Sequence, residues 1–270
     1  MQQRLVDATF EESAVLWKEI YQQVGVSGLF FQHRRAATLA RIDEIALPSG
    51  SSVLEVGCGA GLTAVALAQR GCEVYAVDSV ARMADLTRQH AIEASVQDSV
   101  RVAVADVHDL AFPEGVFDLV VAIGVIAWLH SAQAGMQQVA RVLKPGGYVI
   151  ASAANCAALN CLLDPLLNPA LQPVKGAAKR LLERKCARRP VATLRRQWPH
   201  EVDQLLQSVG LQKIAGTTLG FGPFTAFRCE LLPDRAGTSL YQWLQSLADR
   251  RVPGIRSAGR SYLLLAQKPG

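Results

Sequence analysis

The feature that most constrains this chain is a glycine-rich turn between a short strand and a helix. Residues Ser52 to Val56 form a β-rich run, and Leu62 to Arg70 are Ala-rich and helix-forming. Between them Gly57, Gly59 and Gly61 stand at alternate positions. Glycines allow the backbone to turn tightly and to approach a ligand beside the unpaired amides of a helix start. The pattern therefore predicts a ligand-binding loop.

The spacing of these glycines separates the loop from the dinucleotide fingerprint. That fingerprint, G-x-G-x-x-G, would place its last glycine where this chain has Leu62. An acid, Asp78, ends the next predicted strand, where its carboxylate can accept hydrogen bonds from the vicinal hydroxyls of a ribose. Asp106, after the following strand, offers an acceptor for an adenine amino group. For both acids the alternative role is to cap a helix.

Strand and helix patterns alternate along the middle of the chain, which predicts a doubly wound α/β domain. After residue 154 prolines interrupt the alternation, and it resumes near residue 199. The predicted strands are 52–56, 74–78, 100–105, 117–123, 148–153, 211–219 and 261–267. The predicted helices are 11–23, 34–45, 62–70, 81–94, 132–143, 199–209 and 240–248, with a turn at 144–147.

These patterns predict four parts of the chain. Residues 1–48 form an N-terminal helical cap, and residues 49–154 form the nucleotide-binding core. Residues 155–198 are a basic helical insertion. Residues 199–270 complete the core and supply a lid segment.

Several motifs together resemble a known family. They are Leu54 to Gly61, Asp78, Ala105 to Pro113, Phe117 to Val120 and Arg141 to Gly147. In this combination the chain resembles the class I S-adenosylmethionine-dependent methyltransferases of small molecules, particularly the group of the ubiquinone/menaquinone C-methyltransferases. The resemblance implies a Rossmann-like, seven-stranded, mostly parallel sheet whose last strand is reversed, here with a helical cap.

The resemblance also implies a set of cofactor-binding residues. The methionine moiety would lie over residues 55–61, the ribose on Asp78, and the adenine between Ser79 and residues 106–107. The sulfonium would lie near Ile123 and Gly124. The full predicted set is Glu55, Gly57, Cys58, Gly59, Gly61, Asp78, Ser79, Asp106, Val107, Ile123 and Gly124.

The catalytic residues are not carried over from the family. Many relatives have His-His where this chain has Ala127-Trp128, and His130 stands where Pro is common. Methyl transfer from a sulfonium depends mainly on holding the reacting atoms in line. If the acceptor is an oxygen or an acidic carbon, a base helps, and His130, His33 and Tyr21 are the candidates. For His130 the alternative is a surface residue that starts a helix.

Two aromatic, glycine-bearing segments, residues 28–33 and 220–227, suit an apolar or planar acceptor. The alternative is lid packing that never touches the acceptor. Trp128 likewise has two interpretations: it lines the pocket, as a wall or by stacking on adenosine, or it is a core residue.

The net charge of +5 comes from one segment. Residues 174–200 hold nine basic residues and one acid, which leaves about −3 for the rest of the chain. A solvated helix, peripheral contact with anionic lipid, and RNA binding are the alternatives for this segment. Nucleic acid is disfavoured as substrate because the motifs of base methyltransferases are absent. The sequence leaves the oligomeric state open.

The six cysteines form no C-x-x-C pair, and no metal site is predicted. The N-terminal residues have no apolar signal segment, which predicts a cytoplasmic location.

The expected function is therefore S-adenosylmethionine-dependent O- or C-methylation of a small-molecule or lipid-like acceptor. One alternative is a tRNA or rRNA methyltransferase that uses the basic segment. The other is a partner subunit that binds S-adenosylmethionine and does not catalyse.

Overall fold

The computed structural model describes residues 2–21, 23–171, 194–227 and 229–270. Their main element is a mixed sheet in the order β3-β2-β1-β4-β5-β10-β7, with β6 beside β5. Neighbouring strands from β3 to β5 are parallel, and β10 runs antiparallel to both β5 and β7. This confirms the Rossmann-like sheet with a reversed last strand.

The strands have the following bounds: β1 Ser52–Val56, β2 Glu73–Asp78, β3 Val100–Val104, β4 Phe117–Ala122, β5 Leu143–Asn155, β6 Arg196–Gln197, β7 Gln212–Leu219, β8 Thr225–Ala226, β9 Cys229–Glu230 and β10 Ser261–Gln267. The helices are α1 Gln2–Glu19, α2 Val26–Ile45, α3 Leu62–Ala68, α4 Ala81–Glu93, α5 Ala132–Val142, α6 Leu159–Leu163, α7 Pro199–Ser208 and α8 Asp234–Asp249. Single 3-10 turns cover Ile126–Trp128, Pro169–Leu171 and Ile255–Ser257. None of the described helices is long and apolar enough to cross a bilayer.

The sheet is covered on both faces, which explains why β4 is apolar without alternation. Leu119, Val120 and Val121 are all fully buried. Leu119 and Val121 pack into the cluster on one face, and Val120 packs into the cluster on the other. A central parallel strand between two layers of helices has this composition.

The turn predicted at residues 144–147 lies inside β5. This strand begins at Leu143, opposite Phe117, and the next paired residues are Tyr148 and Leu119. One residue of β4 therefore faces four residues of β5, which is a wide irregularity in the ladder. A Cβ atom at Gly147 would lie 2.9 Å from the carbonyl oxygen of Lys144. Pro and Gly in this segment thus fit a bulge, and the prediction of a separate turn was wrong.

The N-terminal helices are longer than predicted. The first begins at Gln2 and not at residue 11, and α2 begins at Val26 and not at residue 34. The segment at residues 28–33 therefore belongs to a helix. Val26, Phe30, Thr38 and Ile42 are buried at spacings of four or eight, which is one face of a helix.

The predictions for the basic segment fall mostly outside the described residues, since residues 172–193 are not described. Its described end forms β6, which pairs with β5. The predicted domain boundaries stay a prediction.

Phe117, the first residue of β4, packs in the core on one face of the sheet, and its loss should destabilise the fold. Its ring is fully buried and meets the rings of Tyr75 and Phe112 edge to face. We expect Phe117→Ala to lower the free energy of unfolding by about 3–5 kcal/mol, because it leaves a cavity. Urea unfolding followed by circular dichroism measures the change. Phe227→Ala, at an exposed phenylalanine, is the control. Equal effects of the two substitutions would contradict the assignment of Phe117 to the core.

Candidate functional site

A cleft of about 1240 Å³, counting the space open to solvent, lies at the carboxyl ends of β1, β2 and β4. We call it the main cleft. All eleven residues predicted to bind the cofactor line it: Glu55, Gly57, Cys58, Gly59, Gly61, Asp78, Ser79, Asp106, Val107, Ile123 and Gly124. Parallel strands end at one edge of a sheet, so residues that are distant in sequence meet there. Their role in binding stays a prediction.

The glycine loop needs glycine for two different reasons. Gly57 and Gly61 both have positive φ, of 65° and 77°. A Cβ atom at Gly57 would lie 2.5 Å from a methyl group of Val125, and one at Gly61 would lie 2.6 Å from the methyl group of Thr87. Backbone conformation and close packing therefore both exclude larger residues here. This keeps the backbone of the loop against the cleft.

Helix α4 holds the loop from behind. The hydroxyl of Thr87 donates to the carbonyl oxygen of Gly59 at 2.9 Å, and Nδ1 of His90 lies 2.6 Å from the carbonyl oxygen of Ala60. Cys58 is buried, and its sulfur lies 3.3 Å from the same hydroxyl. Burial, with the charges of Glu55 and Asp78, raises the pKa of this thiol. Cys58 therefore packs as a neutral thiol.

Asp78 ends β2 and ties the loop to the next helix. Its carboxylate accepts a hydrogen bond from the amide of Gly59 at 2.9 Å and another from the amide of Val80 at 3.0 Å. The second bond lies in the turn before α4, whose N-cap is Val80 without a side-chain capping hydrogen bond, so the predicted alternative of helix capping does not apply to Asp78. Burial raises the pKa of Asp78 although these amides stabilise its charge. Each carboxylate oxygen has lone-pair capacity left for a ligand.

Asp106 has a partner that the sequence reasoning did not select. Its Oδ1 accepts from the backbone amide of His108 at 2.9 Å and lies 2.6 Å from Nδ1 of the same residue. Burial raises the pKa of Asp106, but these hydrogen bonds and the nearby histidines bring it below its usual value. Nε2 of His108 lies 3.1 Å from the carbonyl oxygen of Ser131. Both ring nitrogens of His108 therefore face oxygen acceptors.

The three predicted bases are placed differently. Tyr21 lines the main cleft. His130 is exposed outside it, with its ring stacked on His108 at a centroid distance of 3.6 Å. His33 also lies outside it, 3.0 Å from the hydroxyl of Tyr241, and burial lowers its pKa. The arrangement gives support to Tyr21 and none to the two histidines as bases.

The N-terminal helices supply cleft residues that the sequence reasoning missed. Phe10 and Trp17 of α1 form an aromatic wall with Trp128, whose ring meets Phe10 edge to face at 5.2 Å. Trp128 thus takes the first of its two predicted roles, as a wall of the cleft. The hydroxyl of Ser79 donates to Asp7 at 2.8 Å and fixes α1 to the end of β2.

Two adjacent arginines of α2, Arg34 and Arg35, also line the cleft. Nη2 of Arg35 donates to the carbonyl oxygen of Leu62 at 3.1 Å. Its Nε atom is buried and has no partner among the described residues. The only sequence signal for these residues was their position in a predicted helix.

Glu55 is a second ionisable residue of the cleft with one buried atom that has no partner among the described residues. The side chain is 5% exposed, and Oε2 has no hydrogen bond within the described residues. Burial raises its pKa to about 8, and the charge of Asp78 raises it further against the hydrogen bonds of Ala64 and Thr63. An unpaired buried acceptor is costly unless a ligand satisfies it. Glu55 and Arg35 therefore offer an acceptor and a donor at one end of the main cleft.

The raised pKa of Glu55 predicts how stability depends on pH. The pKa of the folded state exceeds the ordinary value of 4.5. The contribution of protonated Glu55 to the stability of the folded state is therefore complete below pH 4.5 and is lost as pH rises toward 8. We expect the free energy of unfolding of the ligand-free protein to fall by up to about 1.4 kcal/mol per pH unit in this window. Glu55→Gln should remove most of this slope in urea titrations.

The exposed Glu93, as Glu93→Gln, is the control and should keep the slope. If the Glu55→Gln variant retained the same slope as the parent protein, the raised pKa of Glu55 would be contradicted.

Residues 54–151 match the model of a family described as a methyltransferase domain. The ubiquinone biosynthesis O-methyltransferase of Xanthomonas campestris pv. campestris (strain B100) is 38% identical over 112 residues, which are 41% of this chain and 46% of that protein. The enzyme of the same name from Pectobacterium carotovorum subsp. carotovorum (strain PC1) is 33% identical over 106 residues, 39% of this chain and 44% of that protein. The match thus spans just under half of the length of these relatives.

Solved structures share the fold over nearly the whole chain. Magnesium protoporphyrin IX methyltransferase from Synechocystis PCC 6803, with bound SAH, has a TM-score of 0.66 at 17% identity and covers 98% of this chain and 99% of its own. The [4+2]-cyclase SpnF has a TM-score of 0.65 at 16% identity, and the match covers 100% of this chain and 96% of the cyclase. At these identities the likeness concerns the fold. Residues 54–151 therefore resemble the methyltransferase domain family, and the chain shares the fold of solved S-adenosylmethionine-dependent methyltransferases.

Proposed function

We propose that this protein is an S-adenosylmethionine-dependent methyltransferase that methylates an oxygen or carbon of a small-molecule or lipid-like acceptor. One observation carries the proposal: eleven residues predicted to hold the cofactor line one cleft, together with buried polar atoms of Glu55 and Arg35 that have no partner in the described part of the chain. A ligand with complementary polar groups would satisfy these atoms. The family match of residues 54–151 supports the same reading.

The residues present fit the parts of this cofactor. Asp78 is positioned to accept from the ribose hydroxyls, and Asp106 from the adenine amino group. Oε2 of Glu55 would accept from the ammonium of the methionine moiety, and Nε of Arg35 would donate to its carboxylate. Each of these contacts pairs an acceptor or a donor of the chain with the opposite group.

When bound, the cofactor would supply a methyl group on a positively charged sulfur. In-line attack of a nucleophile on this methyl group would release the sulfur as a neutral thioether. The chain's own residues have to hold the acceptor in line and exclude water. Phe10, Trp17 and Trp128 give the cleft apolar walls for this purpose. Tyr21 is the predicted base that lines the cleft, so the proposal keeps it as the candidate for removing a proton.

Two alternatives stay open to test. A tRNA or rRNA methyltransferase would rely on the basic segment, and peripheral contact with lipid would use the same residues. A partner subunit that binds the cofactor without catalysis would keep the same cleft. The fold is compatible with more than one reaction, since one neighbour of similar fold carries the name of a cyclase.

Asp78→Ala should weaken the binding of S-adenosylhomocysteine at least tenfold, or about 1.4 kcal/mol. The substitution removes the ribose acceptor and loosens the amide of Gly59, which the carboxylate holds at 2.9 Å. Isothermal titration calorimetry measures the affinity. Asp85→Ala, at an exposed acid of α4, is the control and should bind like the parent protein. Unchanged affinity of the Asp78 variant would contradict the ribose assignment.

Cell extract incubated with the protein and methyl-labelled S-adenosylmethionine should yield label in small molecules. The products are partitioned into organic, aqueous and macromolecular fractions, and Asp78→Ala serves as the control with weakened cofactor binding. We expect label in the organic or the small-molecule aqueous fraction, since the cleft has apolar walls. Label confined to RNA would favour the RNA alternative. No label in any fraction would favour the non-catalytic subunit.

A further inference from the structure

Three arginines from separate elements converge at the carboxyl edge of the sheet beside the main cleft. Arg34 comes from α2, Arg196 from β6, and Arg260 from the residue before β10. The edge position of the last two follows from the pairing of Ala154, near the end of β5, with both Arg196 and Ser261. The backbone of Arg260 is fixed there, because its amide donates to Gly220 and its carbonyl accepts from Asn155.

Arg34 and Arg260 pack against the same aromatic ring. Their guanidinium carbons lie 5.4 and 4.4 Å from the centroid of Phe30, and Arg34 is also 5.0 Å from Phe31. Cation–π contacts of this kind hold a guanidinium in place and leave its N–H groups free to donate in the ring plane. A Cβ atom at Gly124 would lie 3.2 Å from Nη1 of Arg34. Arg34 therefore reaches the end of β4, where the resemblance places the reacting sulfur.

Among the described residues, no carboxylate pairs with Arg34 or Arg260 of this cluster. Nη1 of Arg260 is buried and has no hydrogen-bond partner within this part of the chain. Burial and the charges of Arg34 and Arg196 lower the pKa of Arg260 to about 10. Burial likewise lowers the pKa of Arg34, although a hydrogen bond with the side chain of Tyr21 acts in the opposite direction.

Buried cations of like sign destabilise a fold unless a counter-charge joins them. Arg34 lines the main cleft, and a cation without a counter-charge in a cleft indicates a candidate binding site. Arginine presents a fork of donors that matches a carboxylate or a phosphate. We propose that the acceptor carries an oxyanion group, carboxylate or phosphate, and that Arg34 and Arg260 bind this group while the apolar body lies between the aromatic walls of the main cleft.

This inference rests on the proposed function and names the class of its acceptor. The bound anion would fix one end of the acceptor and leave another atom of it to face the methyl group. Arg34 and Arg260 would be binding residues, and Arg196 would strengthen the positive field around them. A purely structural role, in which both arginines only pack on Phe30, is the competing explanation.

Three probes that share a naphthalene ring test the proposal by calorimetry on the full chain saturated with S-adenosylhomocysteine: 2-naphthoate, 2-naphthyl phosphate and the neutral 2-naphthamide. We expect at least one anion to bind tenfold or more tightly than the amide. The preferred anion tells carboxylate from phosphate. Arg34→Met and Arg260→Met should each remove most of this preference and leave the affinity for the amide within about twofold.

Arg256→Met is the matched control, because it removes the same charge at an exposed arginine. Equal binding of all three probes, no binding of either anion, or an equal loss in the Arg256 variant would overturn the proposal. If a methionine variant fails to fold, Arg34→Lys and Arg260→Lys keep the charge and should still lose part of the preference, because lysine lacks the fork.

The melting temperature of the ligand-free protein distinguishes an arginine that binds a ligand from one that only packs on Phe30. If Arg260 serves a ligand, Arg260→Met should keep or raise the melting temperature of the ligand-free protein, because it removes a repelling charge. A lowered melting temperature with an unchanged preference for anions would support the structural role. Failure of the parent protein to bind S-adenosylhomocysteine would count against the proposed function itself. Binding without discrimination among the probes would count only against the oxyanion site.

Discussion

The carboxylate of Asp78 is the interaction on which the main cleft depends. It accepts hydrogen bonds from the backbone amides of Gly59 and Val80. It therefore joins the end of β2, the glycine loop and the start of α4 in one place. Charge-assisted hydrogen bonds of this kind are about twice as strong as neutral ones. The shape of the loop and the acceptor offered to a ligand therefore come from one side chain. Neither can change without the other.

The features that the sequence predicted well are local ones. The glycine loop needs only its own φ angles and its packing on α4, and the acids at strand ends need only the parallel order of the strands. The strand order itself follows from a family pattern that residues 54–151 carry. The bulge at the start of β5 was missed because it depends on the neighbouring strand. Pro and Gly at residues 144–147 indicate a departure from regular pairing, and β4 decides which departure it is.

The residues that the sequence could not select depend on which face of a helix is turned inward. Arg34 and Arg35 are adjacent in α2 and both reach the cleft, whereas His33, one residue earlier, turns toward Tyr241. Helical spacing alone does not tell which of three neighbours contacts a cleft formed by other segments. The position of His130 likewise depends on tertiary packing, because its ring stacks on that of His108. Base character in a sequence is weak evidence without that geometry.

The reversed direction of β10 has a consequence for how this fold diversifies. An antiparallel last strand delivers its first residue, and not its last, to the edge where the parallel strands end. Position 260, near the far end of the chain, therefore lies at this edge of the sheet, where its guanidinium packs on Phe30 of α2. The middle of the chain shapes the part of the cleft around the glycine loop, and the two ends shape the part beside it. Exchange of terminal segments between relatives could thus alter what lies beside the loop and leave Asp78 and its partners untouched.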